Sequence, residues 1–293
     1  MIMTGIRKYL FDRRIILCFL SLTVTACGQL ISNAKQQFAD DLSATLLEQN
    51  DPVMVKQAIP AYLIMVSSMV RGDPGNAALL ISASRLYGAY ASAFSQEDKE
   101  SRLKLATTAF EYAGRAFCAR LPDVCGLQAL PFERFQERLN TIDVEDVDVL
   151  FALGSAWAGW LQANSTDWNA VAELPKIQAI IERVIALDAG IDNGDAHLYL
   201  AVIRSLLPPA MGGKPETARA EFEAAIRVSK GSNLMAKVLY AERYARMVFD
   251  QDLHDRLLRE VMAAEETRDA HTLTNAIAKQ KARRLLAESP EYF

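Results

Sequence analysis

Four cysteines, three histidines and a run of carboxylates are the side chains that could carry covalent, acid–base or metal chemistry here, and their spacing supports little of it. His197, His254 and His271 stand far apart, and no Cys-x-x-Cys pair or cysteine–histidine cluster has zinc-site spacing. To act as a base, His197 would need a nucleophile or carboxylate in a catalytic frame. Neither Gly-x-Ser-x-Gly nor His-Glu-x-x-His occurs, so it reads as a structural or surface histidine. Asp143, Glu145, Asp146 and Asp148 precede a helical stretch, whose N-terminus their charge complements, and they lack the glycine and bidentate spacing of a calcium loop. Met211-Gly212-Gly213 follows no strand and leads into Lys214-Pro215 rather than Lys-Ser/Thr, so it is a turn and not a phosphate cradle. The expectation is no catalytic residue, no metal and no cofactor.

Cys27 is different. Arg7, Lys8, Arg13 and Arg14 form a basic start, and Ile15 to Val24 an apolar stretch too short to span a membrane but right for a signal-peptide core. That stretch ends in Val24-Thr25-Ala26-Cys27, which resembles the bacterial lipobox. The resemblance implies cleavage after residue 26, thioether lipidation of Cys27, and a short lipidated linker over 27–35 ahead of one helical domain over 36–293. Acyl chains contributing ~0.8 kcal/mol per buried CH₂ would hold such a protein on a membrane. Gly28 in place of Asp favours the outer membrane, with the chain facing the periplasm. In that oxidising compartment Cys118 and Cys125 remain, seven residues apart across Pro122. They either close a short disulfide loop or stay as two buried thiols.

The elements that must position these residues are helical almost throughout. Of 293 residues, 51% are apolar and 23% charged, with modest glycine and proline and no run of alternating β-branched residues. Removing 1–26 leaves 28 basic and 35 acidic side chains, a net charge of −7 that argues against a nucleic-acid surface. Helical spacing recurs over 31–49, 52–71, 75–94, 97–120, 144–163, 167–188 with a break near Pro175, 195–207, 215–229, 233–248, 251–265 and 269–287. Short helices and connectors fill 121–143, and Ser289 to Phe293 reads as a tail. The tetratricopeptide second-helix pattern Ala-x3-Phe-x2-Ala occurs at Ala106/Phe110/Ala113 and Ala218/Phe222/Ala225. The fold class expected is all-α, with antiparallel helix hairpins stacked as a solenoid or bundle.

Longer segments narrow this further. They are Asn76 to Leu80 with Leu86 to Phe94, Trp157-Ala158-Gly159-Trp160 with Asp167, Ala170 and Leu174-Pro175, and His197 to Leu200 followed by Pro208 to Gly213. Val238-x-Tyr240-Ala241-x2-Tyr244-Ala245, Leu273-x-Asn275-x-Ile277-Ala278 and a terminal Phe293 complete the set. Behind a lipobox, this combination resembles the T-component lipoproteins of TRAP transporters, over essentially all the mature chain. It departs at Ala201 and Ala210, where the family often carries bulkier residues. The resemblance implies a tetratricopeptide-like protein that partners the periplasmic solute-binding subunit of a TRAP transporter, as a trimer with a cavity or pore through each protomer. It also implies docking of that subunit near the membrane and handover of an organic or hydrophobic ligand.

Trp157, Trp160, Trp168, Tyr87, Tyr90 and Tyr199 are the candidate lining of such a cavity; the same side chains at helical spacing also serve as hairpin core. Two competing functions make different demands. A structural scaffold lipoprotein of envelope assembly needs a groove for extended peptides, and an enzyme needs clustered titratable groups with shifted pKa values.

Overall fold

The computed structural model describes residues 37–38, 41–95, 98–206, 213–265 and 271–293. The signal segment, Cys27, the 27–35 linker and the 207–212 part of the proline–glycine loop lie outside the described residues. Among the described residues there is no strand, and the fold is all-α.

Capping residues set the helix starts. A short helical stretch over 41–47 precedes α1 (Pro52–Gly72), where Asp51 accepts from the N–H groups of Val53 and Met54 at 2.9 and 3.1 Å. Asn76 caps α2 (Ala77–Phe94) by accepting from Leu79 N–H at 3.0 Å, and Asp98 caps α3 (Lys99–Arg120) through Ser101 N–H at 3.0 Å. Short 3₁₀ turns at Pro122–Val124 and Leu127–Ala129 lead to α4 (Phe132–Leu139), then α5 (Val147–Ala163), α6 (Trp168–Val171) and α7 (Leu174–Leu187). Next come α8 (Asp195–Arg204), α9 (Pro215–Val228), α10 (Leu234–Leu239), α11 (Gln251–Ala263) and α12 (Thr272–Tyr292).

Two elements differ from the periodicity. The helix expected over 233–248 passes into a π-helical segment, Tyr240–Ala245. The last helix does not stop at 287 but runs through Pro290. A proline in the final turn removes only one hydrogen bond. The end is held by aromatic contacts: Phe293 packs on Phe249 at 5.2 Å and on the buried His254 at 5.2 Å, and the Arg246 guanidinium lies 4.4 Å from the Tyr292 ring centroid. Phe249 adopts φ +58°, a left-handed conformation unusual for a bulky side chain, within this cluster.

Packing runs from neighbour to neighbour, with α2 on α3, α3 on α5, α5 on α7, α7 on α8, and α8 on α9. Helix α8 belongs to two cores at once. Ala196, Leu200 and Ile203 join the core of α2–α7, while Leu198 and Ala201 join that of α9–α12. A third, smaller core closes the chain on itself, because Leu273 and Ile277 of α12 pack against Val55, Ile59 and Leu63 of α1.

Helices α5 and α7 approach so closely that a Cβ on Gly154 would stand 2.6 Å from Ile180 Cγ2 and 2.9 Å from Ile181 Cδ1. Gly154→Ala is therefore expected to lower stability by about 1–2 kcal/mol in urea unfolding, because overpacking outweighs the gain in helix propensity. Cys118 at the end of α3 and Cys125 after the Pro122 turn are joined by a disulfide, Cα–Cα 4.6 Å. For a loop this short, replacing both cysteines by serine should lower the unfolding free energy by about 2–3 kcal/mol at equal m-value.

Candidate functional site

Three polar or aromatic assemblies interrupt the apolar packing. The first is an aromatic seam across α1, α2, α3 and α5. Trp157 is buried in the core and stacks on Phe110 at 5.4 Å, and Trp160 tilts against the same ring at 5.8 Å. Phe110 is the aromatic of the Ala-x3-Phe-x2-Ala pattern, so here that signature organises the tryptophans. Beside it Tyr87 meets Tyr112 edge-on at 5.6 Å, and both hydroxyls reach Ser67 Oγ of α1, at 2.8 and 3.2 Å. Tyr90 lies against Phe94 in the core between α1 and α12. Trp168 stands apart, 84% exposed at the start of α6 and without ring contact to the other two tryptophans.

The second assembly is the turn into α8. Asp192, Asn193 and Gly194 are three consecutive residues with positive φ, +43°, +57° and +90°. A Cβ on Gly194 would meet Val228 at 3.0 Å, so glycine answers both the backbone and the space. The turn is tied on both sides. Asp192 pairs with Arg85 of α2 at 2.9 Å, Asn193 donates to Ser232 Oγ at 3.2 Å, and Asn233 donates to Asp195 at 2.8 Å. Asn275 of α12 accepts from Leu234 N–H at 3.0 Å and donates to the Ser232 carbonyl at 2.9 Å, fastening the start of α10.

Burial, and then the neighbouring Asp192 charge, push the Asp195 carboxyl up to about 6 against the hydrogen bond from Asn233. Tyr199, one turn on, is edge-on to Phe151 at 5.7 Å with about a third of the residue exposed, and desolvation among its neighbours, then the Asp195 and Asp192 charges, raise its phenol above the usual range. Farther along α8, His197 Nδ1 and Glu221 Oε2 are 2.6 Å apart, and Arg204 bridges Glu221 at 2.7 Å and Glu182 at 3.0 Å. That network ties α7, α8 and α9 and holds no nucleophile.

The third is an open cleft of about 370 Å³ between α9, the π-helical segment and α11, lined by Arg219, Tyr244, Asp250, Asp252, Leu253 and Arg256. The wider π turn brings the Tyr240 and Tyr244 rings to 5.3 Å, with Tyr240 stacked on Phe222 at 5.2 Å. Tyr240 donates to Glu223 at 3.3 Å and Tyr244 to Glu216 at 2.8 Å. Burial foremost, and these carboxylates after it, hold both phenols above their usual range. Arg219 donates to Glu223 at 2.9 Å, and that hydrogen bond keeps the carboxylate below the ordinary range. Arg256 is exposed on the rim. Nothing in the sequence pattern marked this cleft, since Arg219, Arg256 and Asp250 read as ordinary helix-surface and cap residues.

Among the described residues no group of three histidine, cysteine or carboxylate side chains could hold a metal. The chemistry on offer is recognition: buried aromatic packing, one polar junction, and a cleft edged with arginine and tyrosine. The sequence model of the TRAP transporter T-component family matches residues 48–293, which takes in every helix from α1 to α12. The chain belongs to that family. It is a component of a TRAP transporter by family membership, and the residues that carried the resemblance now have places in this T-component. Asn76 caps α2, Asn275 fastens α10, Tyr240 and Tyr244 form the π turn, and Phe293 closes the C-terminus. No curated protein matches the sequence.

The raised Asp195 carboxyl has a stability consequence. An unfolded aspartate titrates near 4 and the folded one about 6, so the folded state holds the proton more tightly. The contribution is full below about pH 4 and is lost as pH rises through 6. Asp195→Asn, which keeps an acceptor for Asn233, should flatten this dependence. The variant is expected to gain about 2 kcal/mol on the parent between pH 4 and 7.5, read from urea melts across that range.

Proposed function

We propose that this T-component is a periplasm-facing lipoprotein, anchored through Cys27 at the outer membrane, that docks the solute-binding subunit of its TRAP transporter and hands over an organic ligand. In this reading it works as a trimer and catalyses no reaction. The observation that carries the proposal is the family match over 48–293, which coincides with a continuous stack of helices. The lipobox supplies the anchor, and helical stacks of this kind present broad surfaces for partner proteins.

Docking is assigned to the cleft beside the π turn. Arginine and tyrosine are the side chains most enriched where interface energy concentrates, and Arg219, Arg256 and Tyr244 meet there around an open concavity. Within the aromatic seam Trp157 is core, and the partly buried Phe110 and Trp160 are the aromatic side chains left to meet an organic ligand.

The test is calorimetric titration of the chain from Gly28 onward with the purified solute-binding protein of the same transporter, with and without its solute. Saturable binding at a fixed ratio is expected, weakened about tenfold or more by Arg256→Glu, because a rim charge reversal opposes a matched surface. Affinity that changes with solute supports handover. No binding at micromolar concentration would sink the docking role and leave a scaffold of envelope assembly as the better description.

A further inference from the structure

The geometry points to a second contact, with a lipid surface, on the outward face of α1. This helix is long and apolar enough to cross a membrane, yet only 28% of its apolar stretch is buried. The core helix of a globular protein shows the reverse. Its inward stripe, Val55, Ile59, Leu63, Val66 and Val70, is packed against the rest of the molecule. Its outward side also presents apolar side chains to solvent: Val53 is 61% exposed, Ile64 is 74% exposed, and Met54, Pro60 and Ala61 are exposed beside them. The same side also carries Lys56 between Val53 and Pro60, the polar Gln57 and Ser68, and Arg71 at the end of the helix.

The placement of these residues along the chain is as informative as their exposure. Of the thirteen large hydrophobic side chains exposed among the described residues, five fall within residues 38–64: Phe38, Leu47, Val53, Met54 and Ile64. Nine residues, 28–36, separate the first described residue, Gln37, from Cys27, ten Cα–Cα steps in all. Fully extended they span at most about 35 Å. If Cys27 carries the lipid anchor, as proposed above, the tether keeps the segment that begins at Gln37, with five of these exposed apolar side chains, near the bilayer and raises its effective concentration there.

Charge decides which lipid surface fits. Residues 37–72 carry four acids (Asp40, Asp41, Glu48 and Asp51) against two bases, so the segment has no attraction for anionic headgroups. The contact is apolar side chains entering the boundary between headgroups and acyl chains of a zwitterionic bilayer. A second copy of the chain fits less well, because a handful of side chains on one helix falls short of the 20–30 residues per side of a stable interface. Laid on the bilayer, α1 would fix how the helical stack stands on the membrane, which a flexible lipid tether alone cannot do.

Flotation with phosphatidylcholine vesicles, with and without phosphatidylglycerol, tests this on the chain from Gly28 to Phe293, which keeps every described residue. The unmodified chain is expected to float with pure phosphatidylcholine, to the same extent at low and high salt. Ile64→Asp and Val53→Asp should each cut the partition coefficient about tenfold, with helix content unchanged by circular dichroism. Absence of flotation would overturn the proposal, as would dependence on phosphatidylglycerol and salt, or flotation unaltered by both substitutions. A drop in sedimentation mass of the variants with unaltered flotation would instead make the face an interface between copies. Because this chain lacks Cys27, the anchor is read separately, by palmitate labelling of the full-length protein and its Cys27→Ser variant.

Discussion

Everything in this molecule depends on one helix presenting two apolar faces at once. Helix α8 is ten residues long, with Ala196, Leu200 and Ile203 turned to one core and Leu198 and Ala201 to the other. A helix shared in this way cannot rotate by even a fraction of a turn without exposing one face and overpacking the other. The turn before it sets that rotation. Three successive left-handed residues, Asp192, Asn193 and Gly194, reverse the chain so tightly that α8 starts directly from the turn. Left-handed conformations cost little only for glycine, asparagine and aspartate, and those are the residues present. The hydrogen bonds of Asn193 and Asp195 to the segment before α10, and the ion pair of Asp192 with α2, lock the turn from both sides.

Asp195 carries the cost of that junction. Its carboxylate is buried with Asp192 nearby, and Asn233, which donates to it, leaves its own Oδ1 without a donor. Burial of a partly satisfied polar pair is tolerated because the two large cores on either side hold it in place. The His197–Glu221–Arg204–Glu182 network does similar work on α8, with Arg204 shared between Glu221 and Glu182. Both assemblies are built from groups that could do chemistry in another setting, and in both those groups are committed to one another.

Closure of α12 on α1 is the second consequence of stacking. Each hairpin leaves an apolar face that its neighbour covers, and a linear stack leaves two such faces at its ends. Here Leu273 and Ile277 bring the last helix back onto the first, so one pair of faces covers the other. The outward stripe of α1 escapes this economy. In the proposed arrangement the bilayer covers it, while the cleft beside the π turn is left for the solute-binding subunit. The two surfaces lie on different elements, which allows the protein to hold a membrane and a partner at once.

By itself the sequence determined the helices, because capping residues and apolar spacing act locally. Asp51, Asn76 and Asp98 each start a helix where a short side chain can accept a backbone N–H, and Pro122 and Pro175 mark breaks in helical spacing. It also carried the family resemblance, since a combination of short motifs survives without knowledge of which residues touch. Tertiary structure alone decided what those motifs are for. Trp157, Trp160 and Trp168 are close in sequence, yet one is core, one leans on Phe110 from the side, and one stands in solvent, because orientation around a helix and the turn after Asn164 separate them. The π turn at Tyr240–Ala245 and the continuation of α12 through Pro290 were equally invisible. Both depend on contacts with residues distant in sequence, Phe222 and Glu223 for the first and Phe249 and His254 for the second. The cleft has the same origin, for its arginines and carboxylates become a site only when α9 and α11 both pack against the π-helical segment.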